Sequence, residues 1–564
     1  MTSGLLGELT ALANAWTAGS TWRIFSTTLG AGLLCLLLRG VAGARSLADG
    51  RDGGAWPGFA IAGLLFAAAL VLRLLLPERV HYTFNDEYEY IDHAQRLLAS
   101  GEYRLWSGPP AGVYLYALAF AVFGVSTAVA FATTIVLASL TPPVFYWTLR
   151  VLRVERMVAV VAAVLLVLAP LHVKHAASAS LEIASLLLLL LTVGSFLELL
   201  RAPGAVAATC FATSLFFALT VRVENWALLV LLPLLWRSWR GEVRRLSAGH
   251  FLLAALAVAL AAAYLPGILA APIRYDPWWQ SRLPGPALLL TNLGFWVGGD
   301  VLQRKLPLLL FGVGVIAGLR RARPATVFWI AFLLLYSIVF VLYGLNVGWL
   351  EEAHQPPPWG ARDAGHDMFR FNVILLPAVT YLLASGVVAV LRAIGALLRA
   401  DFGNAARSRP VRIVAVVALC VVGPGLLLWR GEYAAYRPLA FLASPYNRGF
   451  EIAEFRFLHA ALAGGARGGA LYVLPPTEGI VVDDVAARPL ASLATDLAAN
   501  PDAAAFVYVN GRQLAAPALE QAFRAAQQRV ALREVERRLD GRERFYLFAV
   551  VPHVALPTGG SAAE

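Results

Sequence analysis

Lysine is almost missing from this chain: Lys174 and Lys305 are the two lysines among 46 basic residues. The other basic residues are arginine, and with abundant alanine this composition suits a GC-rich bacterial genome. Charge of either sign is scarce. Charged residues fill 14% of the 564 positions against 59% hydrophobic, so the polar surface that a soluble protein of this length needs is absent. Cysteine is as thin. Cys35, Cys210 and Cys420 each fall within an apolar run, which excludes a disulfide framework or a cysteine metal cluster. No GxGxxG or GxxxxGK[ST] loop opens a helix, and no HExxH accompanies the histidines. The net charge of +11 does not mark a nucleic-acid partner, because no compact basic region with interleaved aromatics carries it. No cleavable signal peptide is evident, so the first apolar run is expected to be retained.

What the chain has is apolar length. Runs occur near 24–43, 57–77, 127–150, 157–171, 178–200, 205–221, 224–237, 250–270, 304–319, 325–345, 370–397 and 411–430. Hydrocarbon cannot satisfy an open backbone, so each is expected to be helical. The fold class that follows is mainly α, a polytopic membrane protein with about 11–13 transmembrane helices. Gly312, Gly314 and Gly318 lie inside one run, where small residues permit close helix packing. After residue 431 short β-like runs at 470–474, 505–509 and 544–551 alternate with Ala-rich stretches expected to be helical, such as 514–538, the pattern of a small α/β domain. The domains expected are 1–50, an extra N-terminal membrane helix and link; 51–430, the transmembrane body; and 431–564, the α/β domain.

Arginine sets the expected orientation. Arg150, Arg153 and Arg156 share one loop, Arg237, Arg240, Arg244 and Arg245 another; Arg320, Arg321 and Arg323 form a third group, and Arg399, Arg407, Arg409 and Arg412 a fourth. The positive-inside rule places these loops in the cytoplasm. Loops 78–108 and 346–369 then lie outside, as does the C-terminal domain, and the location expected is multi-pass in the inner (plasma) membrane. The segment 109–124 would break that bias if it crossed alone, so it is expected to lie in the outer interface, where Tyr114 and Tyr116 suit the depth.

Polar residues at that outer boundary are the candidates for chemistry. Asn85-Asp86-Glu87-Tyr88-Glu89-Tyr90 opens an amphipathic helix with an apolar stripe of Tyr90, Ala94, Leu97 and Leu98. The helix dipole gives acids at its start a structural reason; a site beside a lipid phosphate gives them a functional one. His172-Val-Lys174-His175 closes the run 157–171, and Glu182 lies one to two turns into the next. Both histidines suit an interfacial or a binding role, and Lys174 can snorkel to headgroups. Arg222 and Glu224 are two apart, which does not bring them face to face on one helix. His366 and Arg370 precede the run 370–397; Arg370 suits a helix-end anchor or a ligand contact. Trp278-Trp279 in the outer loop 271–303 fits an interfacial belt or a sugar platform.

In order along the chain, Asp86-Glu87-x-x-Tyr90, Leu97-Leu98-Ala-Ser-Gly101-Glu-Tyr103, Pro109-Pro110 with Tyr114 and Phe123-Gly124, Leu219-Thr-Val-Arg222-Val-Glu224 ahead of Pro233, and Phe369-Arg370-Phe371 with Pro377 resemble a known series. It is that of the GT-C glycosyltransferases, in particular family 39-like bacterial members related to protein O-mannosyltransferases and the lipid A aminoarabinose transferase. The resemblance covers roughly 57–400. It implies a GT-C fold and an inverting hexosyl- or pentosyltransferase whose donor is a polyprenyl-phosphate monosaccharide. Asp86 would be the general base with Glu87 beside it; Arg222, Arg370 and Lys174 would bind the donor phosphate. Tyr90, His172, His175, Glu182, Glu224 and His366 would contact substrate, with no metal and no cofactor. The implied partners are the lipid-linked donor, membrane lipids and a protein, lipid or glycan acceptor. The chain has Arg370-Phe371 where the family often has Arg-Tyr, and it lacks a His-Pro-Pro loop, which leaves the acceptor class open. The alternative reading, a lipid-linked sugar transporter or flippase, would favour an internal repeat, and none is visible.

Overall fold

Backbone groups without access to water must close their hydrogen bonds locally, and the apolar runs fold as helices accordingly. The computed structural model describes residues 20–35, 55–74, 86–101, 103, 110–176, 179, 181–239, 246–265, 305–346, 372–402, 470–473, 481–482, 485–500, 504–510, 517–540 and 543–551. Its helices are α1 (20–35), α2 (Ala55–Leu74), α3 (Asp86–Ser100), α4 (Pro110–Phe123), α5 (Thr127–Val151), α6 (Arg156–Leu168), α7 (Pro170–Ala176), α8 (Leu181–Arg201), α9 (Ala205–Val221), α10 (Leu228–Trp239), α11 (Ala248–Ala262), α12 (Lys305–Arg321), α13 (Arg323–Asn346) and α14 (Asn372–Phe402). By length and composition, the segments Ala128–Val151, Leu181–Arg201 and Val373–Ala396 are long and apolar enough to cross a membrane. Shorter apolar helical segments include Gly58–Leu74, Pro110–Phe123, Arg156–Leu168, Ala205–Val221, Ala248–Ala262 and Arg323–Val339. The apolar run at 411–430 lies outside the described residues.

α5 packs on α2 and α8, α8 on α9, and α9 on α11, while α14 lies against α6, α12 and α13. The extra N-terminal helix belongs to this core. Phe25 of α1 is fully buried against Tyr114, Phe216, Phe217 and Tyr264. α3 buries Tyr90, Ile91, Ala94 and Leu97 and turns Arg96 and Ser100 outward, the stripe that its spacing predicts. It packs on α4. At about 1.5 Å per residue, the 14 residues of α4 fall short of the ~30 Å hydrocarbon core.

The close approach of α12 to α14 depends on glycine. A Cβ on Gly314 would sit 1.8 Å from the Leu382 carbonyl oxygen, and one on Gly386 would sit 1.9 Å from that of Leu310. Backbone meets backbone there, so nothing flexible can yield. Gly318 faces Thr326, but Gly312 has open space around it and takes no part. Gly314→Val is therefore expected to pry the helices apart and lower the detergent-solubilised protein's unfolding free energy by at least about 1–3 kcal/mol. An unchanged Tm would refute the contact.

The C-terminal region forms a six-stranded sheet from β1 (Ala470–Val473), β2 (Val481–Val482), β3 (Val485–Pro489), β4 (Ala505–Asn510), β5 (Ala531–Asp540) and β6 (Glu543–Val551), in the order β2-β3-β1-β4-β6-β5. β1 runs parallel to β3 and β4, and β6 antiparallel to β4 and β5. The helices α15 (Leu493–Ala499) and α16 (Pro517–Arg529) complete it. One correction falls here. The stretch 514–538 is not one helix, because the helix ends at Arg529 and residues from Ala531 onward belong to β5. Its register pairs Ala531 through Asp540 with Val551 back to Glu543, and a strand partner outweighs the helix propensity of these residues. Leu471, Val473, Tyr508 and Leu547 belong to the same buried cluster as the bundle, while Tyr472, Val507, Val509, Leu493 and Phe523 form a second one. Asp496 accepts hydrogen bonds from Tyr472 (2.9 Å) and Arg488 (3.0 Å); in that order these hold its carboxyl below the usual range.

Candidate functional site

Two breaks in apolar helices build the site. Ala169 precedes a proline, which disfavours the α region for it, and it lies at φ −60°, ψ 116°. The chain therefore leaves α6 and restarts as α7, carrying His172 and His175. The second break is at Arg222, fully extended at φ −158°, ψ 139° between α9 and a 3₁₀ turn over Val223–Ala227. A break there frees the last carbonyls of α9, which must find donors. The Asn225 side-chain amide donates to the Ala218 carbonyl (2.8 Å), and the Trp226 indole to that of Leu219 (3.1 Å). Asn225 also donates to Ser185 on α8 (2.8 Å).

The extended backbone changes how Arg222 meets Glu224. The two are not on one helix, and the guanidinium clasps Glu224 with two donors, Nε to Oε2 at 3.2 Å and Nη2 to Oε1 at 2.9 Å. The expectation that a two-residue spacing pairs poorly is corrected, since it held only for continuous helix. Nη1 donates to Glu182 in the first turn of α8 at 2.5 Å. Glu182, Arg222 and Glu224 are 2%, 7% and 6% exposed. One guanidinium thus holds two buried carboxylates, a trio of net charge −1. Tyr336 of α13 lies within electrostatic range of Glu224. Tyr90 of α3 lies within the same range of Arg222, and Asp86 is one helical turn before Tyr90.

A second polar group, which the sequence reading passed over, sits at the same end of the bundle. Arg73 in the last turn of α2 is 2% exposed, and His172 is fully buried. Arg73 Nη1 donates to the Ala69 carbonyl (2.8 Å), and Nη2 meets His172 Nδ1 at 2.5 Å. Arg73 Nε and His172 Nε2 are buried and have no hydrogen-bond partner. Among the described residues no carboxylate pairs with Arg73. The signal was available, because a lone arginine within an apolar run costs roughly 2.5–3.5 kcal/mol to bury and calls for a function.

The structure brings together Tyr90, Glu182, Arg222 and Glu224, and separately Arg73 and His172, with His175 in electrostatic range of His172. Asp86 and Glu87 occupy the first turn of α3, and Lys174 is in α7; their side chains lie outside the described residues. So do His366, Arg370 and Trp278-Trp279. α14 starts two residues after Arg370 and packs on α7 and α8.

Neither protein-family models nor curated protein sequences give a match. Solved structures do. ArnT from Cupriavidus metallidurans bound to undecaprenyl phosphate matches with TM-score 0.50 at 16% identity, over 88% of this chain and 99% of that one. The Archaeoglobus fulgidus oligosaccharyltransferase matches at 0.47 and 13% identity, covering 81% of this chain and 70% of that one. The mycobacterial arabinofuranosyltransferase AftD matches at 0.38 and 14%, over 87% and 40%. The first of these establishes how the chain folds.

Proposed function

We propose, on the premise that this chain has the GT-C fold, that it is an inverting glycosyltransferase of the plasma membrane with its C-terminal domain outside. It moves a monosaccharide from a polyprenyl phosphate to an acceptor hydroxyl. The observation that carries this reading is the buried Arg73–His172 pair, with donors unspent at one end of an apolar bundle. A buried cation without a carboxylate is costly, and a lipid phosphate arriving from the bilayer would neutralise it.

Asp86 accepts the acceptor's proton as the acceptor oxygen bonds to the anomeric carbon. The bond from that carbon to the phosphate oxygen breaks on the opposite face, and polyprenyl phosphate leaves with the electron pair. Guanidinium groups stabilise that growing charge, the electrostatic contribution that usually dominates. Arg73 joins Arg370 and Lys174 in this role. Arg222 spends three of its five N–H donors on Glu182 and Glu224, so it positions those carboxylates as well as serving the donor phosphate. Arg73, Glu182 and Arg222 lie at helix ends, which favours surface transfer over a translocation path.

Arg73→Met tests the phosphate site. Affinity for undecaprenyl phosphate in detergent is expected to fall at least about tenfold, a loss of about 1.4 kcal/mol. The Tm should hold or rise, because the substitution strands no carboxylate. Wild-type affinity in this variant would remove Arg73 from the site.

A further inference from the structure

The opposite end of the bundle holds a cleft that the transfer reaction does not use. Its volume is about 140 Å³, and three arginines line it, Arg153, Arg321 and Arg392, against a single glutamate, Glu155. They come from three places in the sequence: the turn between α5 and α6, the end of α12 and the middle of α14. Glu155 is already bonded to Arg392. The inner wall is apolar and includes Val158 and Ala389. Ile316 on α12 and Ile394 on α14 stand 56% and 37% exposed nearby in sequence, as lipid-facing side chains do. α6 separates this cleft from the Arg73–His172 pair by its 13 residues, about 20 Å of helix.

The backbone at Arg153 adds an independent observation. α5 ends in a Schellman motif: Val154 N–H donates to the Leu149 carbonyl (2.9 Å) and Arg153 N–H to that of Arg150 (3.0 Å). Arg153 takes the left-handed position, φ 58°, where glycine is usual because it has no Cβ to clash. An arginine held in that conformation, on the lip of a basic cleft, points to a use for its side chain.

We infer that this cleft binds the phosphate of an anionic phospholipid, with the guanidiniums on the headgroup and the apolar wall against the glycerol and upper acyl chain. The positive-inside rule puts this end at the cytoplasmic leaflet, where anionic lipid is the abundant phosphate source and basic pockets between helices recognise it. The inference is independent of the proposed transferase activity.

Native mass spectrometry of the full chain in detergent, titrated with phosphatidylglycerol or phosphatidylcholine, tests it. The wild type is expected to retain phosphatidylglycerol preferentially. Arg321→Ala and Arg153→Gly should each weaken that retention roughly fivefold, the effect of one surface cation on an anionic lipid. Arg153→Gly suits the left-handed backbone, so its Tm should be no lower than wild type, and Arg321 is exposed, so its removal leaves the fold intact. Equal retention of the two lipids, or unchanged retention in both variants, would overturn the inference. Displacement of the lipid by glycerol phosphate at equal concentration would also overturn it, because the ligand would then be a soluble phosphate.

Discussion

Asp86→Asn is expected to lower glycosyl transfer by about 10²–10⁴-fold, the range that a positioned general base contributes. Tm and affinity for undecaprenyl phosphate should stay near wild type. The amide keeps the shape and the place of the first residue of α3 but accepts no proton. The split matters because an acid at a helix start also has a structural role through the dipole; if that were its only role, stability would fall by a few tenths of a kcal/mol and turnover would not change. The measurement is single-turnover transfer by purified protein with a lipid-linked sugar, beside equilibrium binding of the lipid phosphate. Turnover within about threefold of wild type, far inside that range, would exclude Asp86 as the base.

Arg222→Met should do the reverse, acting first on stability. The substitution leaves Glu182 and Glu224 buried at 2% and 6% exposure without their shared cation. Breaking a buried ion pair from one side costs about 3–5 kcal/mol, enough to threaten folding. Replacing all three as Glu182→Gln, Arg222→Met and Glu224→Gln removes every stranded charge, so most of the stability should return although function does not. Thermal unfolding of the single and triple variants in detergent gives the coupling directly. A stable Arg222→Met protein would mean that the carboxylates are protonated or solvated. In contrast, Arg73→Met leaves no acid behind, and the two arginines should therefore separate cleanly, one failing in stability and the other in lipid binding.

Much of the architecture was legible in the residues because local rules govern it. Runs of apolar residues became helices, and Tyr90, Ala94 and Leu97 form the buried side of α3; the run 157–171, expected as one helix, instead breaks at Ala169 ahead of Pro170. Where a local rule met a non-local partner, it failed. Residues 531–540 carry good helix formers yet pair with β6 along their length, since a strand partner outweighs intrinsic propensity. Arg222 and Glu224 were judged by helical geometry at a place where the helix had already ended.

The sequence by itself determined that this is a helical membrane protein, that its arginines gather in separate groups, and that its acids and histidines stand at the ends of apolar runs. These follow from composition and periodicity, properties of neighbouring residues. Only the tertiary structure decided which charges meet. Arg73 and His172 are 99 residues apart, and Arg222 and Glu182 are 40 apart. Helix packing alone makes such pairs neighbours, and in a medium that cannot solvate a stray charge, the choice of neighbour decides whether a cation is already neutralised or is left to receive an anion.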